Sequence, residues 1–320
     1  MLARRNFLAM ALLLAAGPAF ADEPDFATWL DGLKQEALEA GIQPATVARA
    51  LDGLEPIPRV VELDRRQPEK TRSYEDYLEH VVSADRRKAA REQLARNRPL
   101  LTEIGQRYGV QPRFIVALWG IETSYGADPG RFPIIGALAT LAYEGRRGPF
   151  FRAELLKALR IVEQDGIDPT EMQGSWAGAM GQAQFMPSTF LAYAVSYSGD
   201  GKRDIWHRHE DVFASMANYL AQSGWRADQT WGRVVRLPAN FDAGLLGLGT
   251  IKTIKEWRAL GVKRNDGGPL PVKALTASVL RPGGEEGRSI LVYDNFRALL
   301  KWNNSSYFAS AVGFLADSME

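Results

Sequence analysis

Phe114-Ile-Val-Ala-Leu-Trp-Gly-Ile-Glu-Thr-Ser-Tyr-Gly126 is an apolar run closed by a single glutamate, Glu122. If the run is helical, positions three and four away flank the carboxylate with Leu118, Trp119, Tyr125 and Gly126. Water solvates a carboxylate poorly in such a frame. Desolvation disfavours the charged form and raises the pKa, which keeps a glutamate protonated as a general acid near neutral pH. The alternative is a helix-end glutamate that simply reaches solvent.

Outward from this stretch, residues 112–225 read as one mainly helical block. Pro112 opens the Glu122 helix, Pro129-Gly130 makes a turn, and further helices are expected over 133–143 and 150–164, separated by the loop 144–149. Gly174-Ser-Trp-Ala-Gly-Ala-Met-Gly181 is too glycine-rich for an ordinary helix, and such backbone suits tight packing or a ligand groove. Gln182-Ala-Gln-Phe-Met-Pro187 follows, with Ser188 as the expected cap of a helix ending near Tyr197. An acidic, turn-rich loop over 198–204 precedes a helix over 211–222.

The flanks have their own textures. Residues 25–54 fit two short helices broken at Gly41, residues 55–68 read as a proline-rich extended arm, and residues 74–108 as a charged, solvated helix ended by Gly109. Past Trp225 the segments 232–237, 272–280 and 288–293 alternate like strands around a helix at 253–260, and residues 294–315 close the chain as one helix carrying Trp302-Asn303-Asn304. The expected division is a signal peptide at 1–21, an N-terminal helical region at 22–110, a central helical core at 111–230, a small β-rich subdomain at 231–293, and a C-terminal helix at 294–320. The fold class is mainly α (α+β).

The signal peptide rests on Arg4-Arg5, the apolar stretch 7–16 and Ala19-Phe-Ala21, a small-residue cleavage pattern. The apolar part is too short to span a bilayer, so an exported, soluble, periplasmic protein without a transmembrane anchor is expected. Zero cysteines exclude disulfides and a cysteine-borne lipid anchor. A formal net charge of +1 over 320 residues argues against nucleic acid as a partner.

Chemistry is narrowed by what the chain lacks. With no cysteine and only His80, His207 and His209, nucleophilic triads are unsupported, and no HExxH, P-loop or post-strand GxGxxG motif occurs. Carboxylate chemistry remains. A two-carboxylate glycosidase needs a second acid across the scissile bond, yet Asp128, Glu144 and Asp200 all sit in polar turns or loops. One acid suits a reaction in which the substrate supplies its own nucleophile, so a single group protonates the leaving oxygen and then takes a proton back. Trp119, Tyr125, Trp176, Phe185, Tyr219 and Trp302, beside Ser175, Gln182, Gln184 and Asn303, would suit a sugar groove of stacking rings and hydrogen-bonding groups.

Gly120-Ile-Glu-Thr-Ser-Tyr-Gly126, Leu138-Ala-Thr-Leu-Ala142 with Arg146-Arg147, the run from Gly174 to Pro187, Ala217-Asn-Tyr-Leu220 and Trp302-Asn303 together resemble the lytic murein transglycosylase B family over nearly all of the mature chain. The resemblance implies a lysozyme-like helical catalytic domain with an N-terminal helical part and a small mixed subdomain. It implies a peptidoglycan lyase that cleaves the β-1,4 bond between N-acetylmuramic acid and N-acetylglucosamine without water, leaving a 1,6-anhydromuramic end. Glu122 matches the family's acid/base and Ser175 the serine beside it. Gln184, Phe185, Tyr219 and Asn303 match glycan-holding residues, with Trp302 and Tyr125 in the same motifs, and Arg146-Arg147 match a basic pair near the peptide stem.

No redox or nucleotide cofactor is implied, and the partners are peptidoglycan glycan strands together with proteins of wall synthesis or remodelling. The family's acidic loop resembles an EF-hand-like calcium site, but its first aspartate is Ser196 here. That leaves Ser198, Asp200, the Lys202 carbonyl and Glu210 or Asp211 as donors, and a plain Asp/Gly turn is the alternative. A hydrolytic muramidase on the same fold and a non-catalytic glycan binder are the rival readings of function.

Overall fold

In the computed structural model, which describes residues 25–66, 72–144, 147–285 and 287–320, helices lead up to the Glu122 stretch: α1 (Phe26–Glu39), α2 (Pro44–Leu51), α3 (Pro58–Arg65), α4 (Tyr74–Val81), α5 (Ala84–Arg96) and α6 (Arg98–Tyr108). The segment expected as an extended arm is therefore partly helical. Pro58 sits in the first turn of α3, where a missing N–H leaves no bond unmade, so proline starts this helix instead of forbidding it. The single charged helix expected over 74–108 is likewise three. Ser73 and Ser83 cap α4 and α5 by accepting the Asp76 and Arg86 amides, Asn97 separates α5 from α6, and Gly109 ends α6 at φ 67°. The expected signal segment 1–21 lies outside the described residues.

The central block follows as α7 (Pro112–Thr123), β1 (Phe132–Pro133), α8 (Ile134–Tyr143), α9 (Gly148–Asp165), β2 (Gln173–Gly174), α10 (Pro187–Tyr193) and α11 (His209–Gln222). Every residue of α7 from Phe114 to Gly120 is buried, as is every residue of α8 from Ile134 to Ala142. Helices apolar all round belong at the centre of a domain. The short strands β1 and β2 pair antiparallel, Phe132 opposite Gly174, and so pin the glycine-rich segment to the turn after α7. Ser188 is not the cap of α10. Met186 holds that position, and the Ser188 amide is taken by Glu154 Oε2 of α9 at 2.8 Å.

Beyond α11 lie β3 (Gly232–Arg236), β4 (Lys252–Thr253), α12 (Ile254–Ala259), β5 (Lys263–Arg264), β6 (Thr276–Leu280) and β7 (Ser289–Val292). The strands form one antiparallel sheet in the order β4-β6-β7-β3-β5, with Val279 opposite Leu291 and Val234 opposite Ile290. Thr253 and Glu256 start α12 with a reciprocal capping box. A small core of Val235, Ile254, Trp257, Val262, Val279 and Leu291 among others sits under this sheet, separate from the large core that runs from Leu30 in α1 to Ala316 near the C-terminus.

The last stretch is two helices, α13 (Asp294–Trp302) and α14 (Ser306–Asp317), broken at Asn303-Asn304. Ser305 caps α14 through the Phe308 amide. Asn295 locks α13 in place by bonding both the N–H and the carbonyl of Arg226, and Lys301 donates to the Ser223 carbonyl at 2.9 Å. Among the described residues, no helix is long and apolar enough to cross a membrane.

Candidate active site

Helix α7 stops one residue after Glu122, in a backbone conformation that L-residues rarely adopt. Ser124 and Tyr125 have φ of 50° and 63°, and Gly126 follows at 79°. Left-handed geometry costs a non-glycine residue about 1–2 kcal/mol and persists only where surrounding contacts impose it. Those contacts are present. The Ser124 amide bonds to the Gly120 carbonyl and the Tyr125 amide to that of Trp119, Thr123 Oγ1 donates to the Gln182 carbonyl, and the Tyr125 hydroxyl donates to the Arg86 carbonyl at 2.9 Å. The Tyr125 ring folds back over Gly120, where a β-carbon would collide with it. Tyr125 is therefore not one helical turn beyond Glu122, as the periodicity suggested; the turn carries its ring back onto α7.

The glycine-rich segment 174–185 lies along this turn. Gln184 donates through Nε2 to the carbonyls of Pro129 and Gly181, both at 2.8 Å, while its own backbone is left-handed at φ 51°. Ser124, Tyr125 and Gln184 are the three non-glycine residues with positive φ among the described residues, and all lie in these two facing segments. Ser175 Oγ accepts the Ala179 amide at 3.1 Å, leaving the hydroxyl proton for another acceptor.

Glu122 keeps a partly exposed edge on this face. Burial of its carboxyl pushes the pKa up to about 7, against the opposing pull of a hydrogen bond from the Trp302 indole, whose Nε1 lies 2.6 Å from Oε1. The position next to the C-terminal end of α7, where backbone carbonyls point outward, adds to the disfavour of a negative charge. Among the described residues, no second carboxylate acts on Glu122. Tyr77 of α4 lies near enough to feel this group, its phenol being pushed up by burial and by the Glu122 charge.

The aromatic residues divide into two groups. Trp302 stands 4.8 Å from the Tyr219 ring and 5.3 Å from Phe185, and Tyr193 packs 4.5 Å from Tyr219. Trp302 and Tyr219 remain partly accessible. Phe185 and Trp119, expected among the stacking rings, are buried. Phe185 supports Trp302 and Tyr219 from within, and Trp119 donates its indole proton to Gln182 Oε1 at 2.9 Å. Gln182, expected to offer its amide to a ligand, is buried and spends the other end of that amide on the Trp206 carbonyl.

Asn303 is exposed at the break after α13, beside Trp302. The Arg147 guanidinium bonds Asp64 of α3 at 3.2 Å and lies over the Phe151 ring. Arg146 lies outside the described residues. Sequence reasoning missed Tyr77, because a tyrosine on a helix read as solvated carried no signal. It also took Trp302 for a sugar-stacking ring and not for a hydrogen-bond donor to the acid.

The acidic loop does not fit calcium. Asp200 Oδ1 accepts from the Ser196 hydroxyl and the Lys202 amide, and its Oδ2 from Arg208 Nη1 at 2.6 Å. Asp211 is buried with its two oxygens on the amides of Tyr197 and Asp204. A calcium ion wants six or more oxygens, several of them charged. Here the carboxylates are satisfied by protein donors, a guanidinium stands among them, and no cluster of three or more His, Asp or Glu residues suited to a metal occurs among the described residues. Of the two readings left open for this loop, the donor set fits the plain Asp/Gly turn better than calcium on Ser198, Asp200, Lys202 and Asp211.

Known proteins share this chain's sequence and fold. The chain is 36% identical over 224 residues to the membrane-bound lytic murein transglycosylase B of Escherichia coli (strain K12), covering 68% of this chain and 60% of that protein. It thus spans less than two thirds of the length of that relative. Its fold is similar to that of SltB3 from Pseudomonas aeruginosa, solved in complex with NAG-anhNAM-pentapeptide, with a TM-score of 0.90 and 49% identity over 92% of this chain and 79% of that one. It is also similar to the Escherichia coli lytic transglycosylase Slt35 in complex with calcium, with a TM-score of 0.76 and 28% identity over 95% of each chain. The mainly helical architecture is the lysozyme-like one of these enzymes. Residues 25–317, which hold α7, the strained turn and Trp302, match the family model of the transglycosylase SLT domain, and the chain belongs to that family.

Proposed function

We propose that this chain is a peptidoglycan lytic transglycosylase, cleaving the β-1,4 bond from N-acetylmuramic acid to N-acetylglucosamine and leaving a 1,6-anhydromuramic end. The observation that carries the reading is a lone glutamate, Glu122, in an apolar frame with its pKa pushed up to about 7. Such a group is poised to give a proton and take one back at neutral pH. Glu122 protonates the glycosidic oxygen as the C1–O bond breaks, the bond's electron pair staying with the leaving sugar. The muramic N-acetyl group steadies the cationic centre. Glu122, now a carboxylate, takes the 6-hydroxyl proton as O6 bonds to C1. Atoms balance with no water and no cofactor.

Ser175, Gln184, Tyr219, Trp302, Asn303 and Tyr125 would hold the glycan, Phe185 backing the rings, and Arg146 and Arg147 would lie toward the peptide stem. The relative crystallised with NAG-anhNAM-pentapeptide supports a product of this class. Export through residues 1–21 to the periplasm, a division of the chain at about 110, 230 and 293, and contact with wall-building or remodelling proteins complete the reading. Mass spectrometry of muropeptides released from purified sacculi tests it. Products one water lighter than hydrolysed ends are expected from the wild type and none from Glu122→Gln; hydrated ends would instead identify a hydrolytic muramidase.

A further inference from the structure

The hydrogen bond from Trp302 to Glu122 restricts where a proton can sit. Indole nitrogen donates and cannot accept. The carbonyl oxygen of a carboxylic acid accepts an N–H better than its hydroxyl oxygen does, so with Nε1 2.6 Å from Oε1 the indole favours the proton of the acid form on Oε2. The indole has little room to turn away. Phe185 and Tyr219 press on its ring, the Tyr219 hydroxyl is tied to the carbonyl of Lys301, and Lys301 is itself anchored on Ser223.

We propose that Trp302 is a positioning residue that confines the proton transfers of Glu122 to one oxygen, Oε2. This rests on the reading of Glu122 as acid and base. In cleavage, the Oε2 proton passes to the glycosidic oxygen as the C1–O bond breaks; in ring closure, the O6 proton passes to the Oε2 lone pair as O6 bonds C1. Oε1 accepts the indole proton throughout, so the carboxyl needs no rotation between the two steps. A charge-assisted bond is stronger than a neutral one, so the indole stabilises the carboxylate that exists between them.

Several titratable or charged groups face this region from the packed elements. Tyr77 of α4 feels the Glu122 charge, and Tyr307 of α14 packs against Tyr77. Arg86 of α5 spends its guanidinium on the Val81 carbonyl, Tyr219 of α11 stands behind Trp302, and His209 of α11 lies against Trp119. Among the described residues, Trp302 is the one recorded as donating a hydrogen bond to Glu122.

The test replaces Trp302 by benzothienylalanine, which keeps the ring shape and exchanges the N–H for sulfur, alongside Trp302→Phe, Trp302→Tyr and Glu122→Gln. Anhydromuropeptide release from soluble glycan strands is followed against pH, with kcat and KM separated. Loss of the donor is expected to move the basic limb of the profile upward by about one unit and to lower kcat roughly tenfold, with KM nearly unchanged in the benzothienylalanine enzyme, which keeps the ring that would hold the glycan. Trp302→Tyr, whose hydroxyl can donate, is expected to move the limb less than Trp302→Phe. A benzothienylalanine enzyme with an unmoved limb, or one changed in KM alone, overturns the proposal. Turnover by Glu122→Gln would sink the acid/base reading itself, whereas an inactive Glu122→Gln beside an unmoved limb sinks only the role of Trp302.

Discussion

Arg208 reaches across the acidic loop to Asp200, Nη1 to Oδ2 at 2.6 Å, and so supplies from within the chain the positive charge that a bound cation would bring. The Arg208 guanidinium, followed by the Lys202 amide and the Ser196 hydroxyl, holds the Asp200 carboxyl well below the usual range. The unfolding transition of this protein is therefore expected to be indifferent to calcium and to chelators. Ser196→Asp combined with Arg208→Ala restores a carboxylate and removes the competing cation, and should make Tm calcium-dependent. Scanning fluorimetry with and without calcium checks both, and a calcium-dependent Tm in the wild type would contradict the donor count.

Activity should fall as pH rises through about 7, because the first step needs Glu122 protonated and burial places its pKa there. The basic limb of kcat/KM against pH reports this directly. A limb below about 5, the range of an ordinary glutamate, would mean that the carboxyl is better solvated than its surroundings imply.

The same shift has a stability sign. The Glu122 pKa is raised in the folded state from an ordinary 4.5 to about 7, so the folded chain keeps a proton that the unfolded chain releases. The associated stability is complete below pH 4.5 and is lost as pH climbs to about 7, a change of up to about 3 kcal/mol. Glu122→Gln stays neutral and can still accept from Trp302. It is expected to match the wild type near pH 4 and to be more stable near pH 8, as denaturant melts at the two pH values would reveal.

Gln182 holds two elements together through one buried amide, accepting from the Trp119 indole and donating to the Trp206 carbonyl. Gln182→Leu removes both partners at once and leaves a buried N–H unsatisfied, at a cost of about 2–4 kcal/mol. Urea denaturation measures that loss. Because Gln182 also packs on Gly126, next to the Glu122 turn, kcat should fall along with stability.

Trp257 fills the small core under the five-stranded sheet and bonds the Ala277 carbonyl at 3.0 Å. Trp257→Ala should cost about 3–5 kcal/mol locally. Hydrogen exchange should then rise in β6 and β7 while α7 stays protected; uniform loss of protection would show that the two cores unfold as one.

Much of this architecture is written in local chemistry. The apolar run before Glu122, the helix after Thr253 and the three longer strands β3, β6 and β7 of the small sheet announce themselves, because each depends on residues a few positions apart, whereas the two-residue strands β4 and β5 do not. What escaped depends on distant partners. Pro58 reads as a breaker until one sees that it occupies a first turn, and Asn303-Asn304 reads as mid-helix until α13 and α14 are seen to part there. Phe185 and Trp119 carry the composition of a sugar platform, yet tertiary packing buries both. Glu122 itself was legible as a desolvated acid; that its hydrogen-bond donor arrives from 180 residues away was not.

That separation also bears on timing. A chain emerging N-terminus first presents Glu122 long before Trp302, and the indole is held at its post by α13, itself fastened to Arg226 and Ser223. An unfinished or clipped polypeptide would carry the acid without the donor that steadies its carboxylate. For a protein read as cutting the wall of its own cell, the late arrival of that one ring delays full cutting power until synthesis and folding are nearly done.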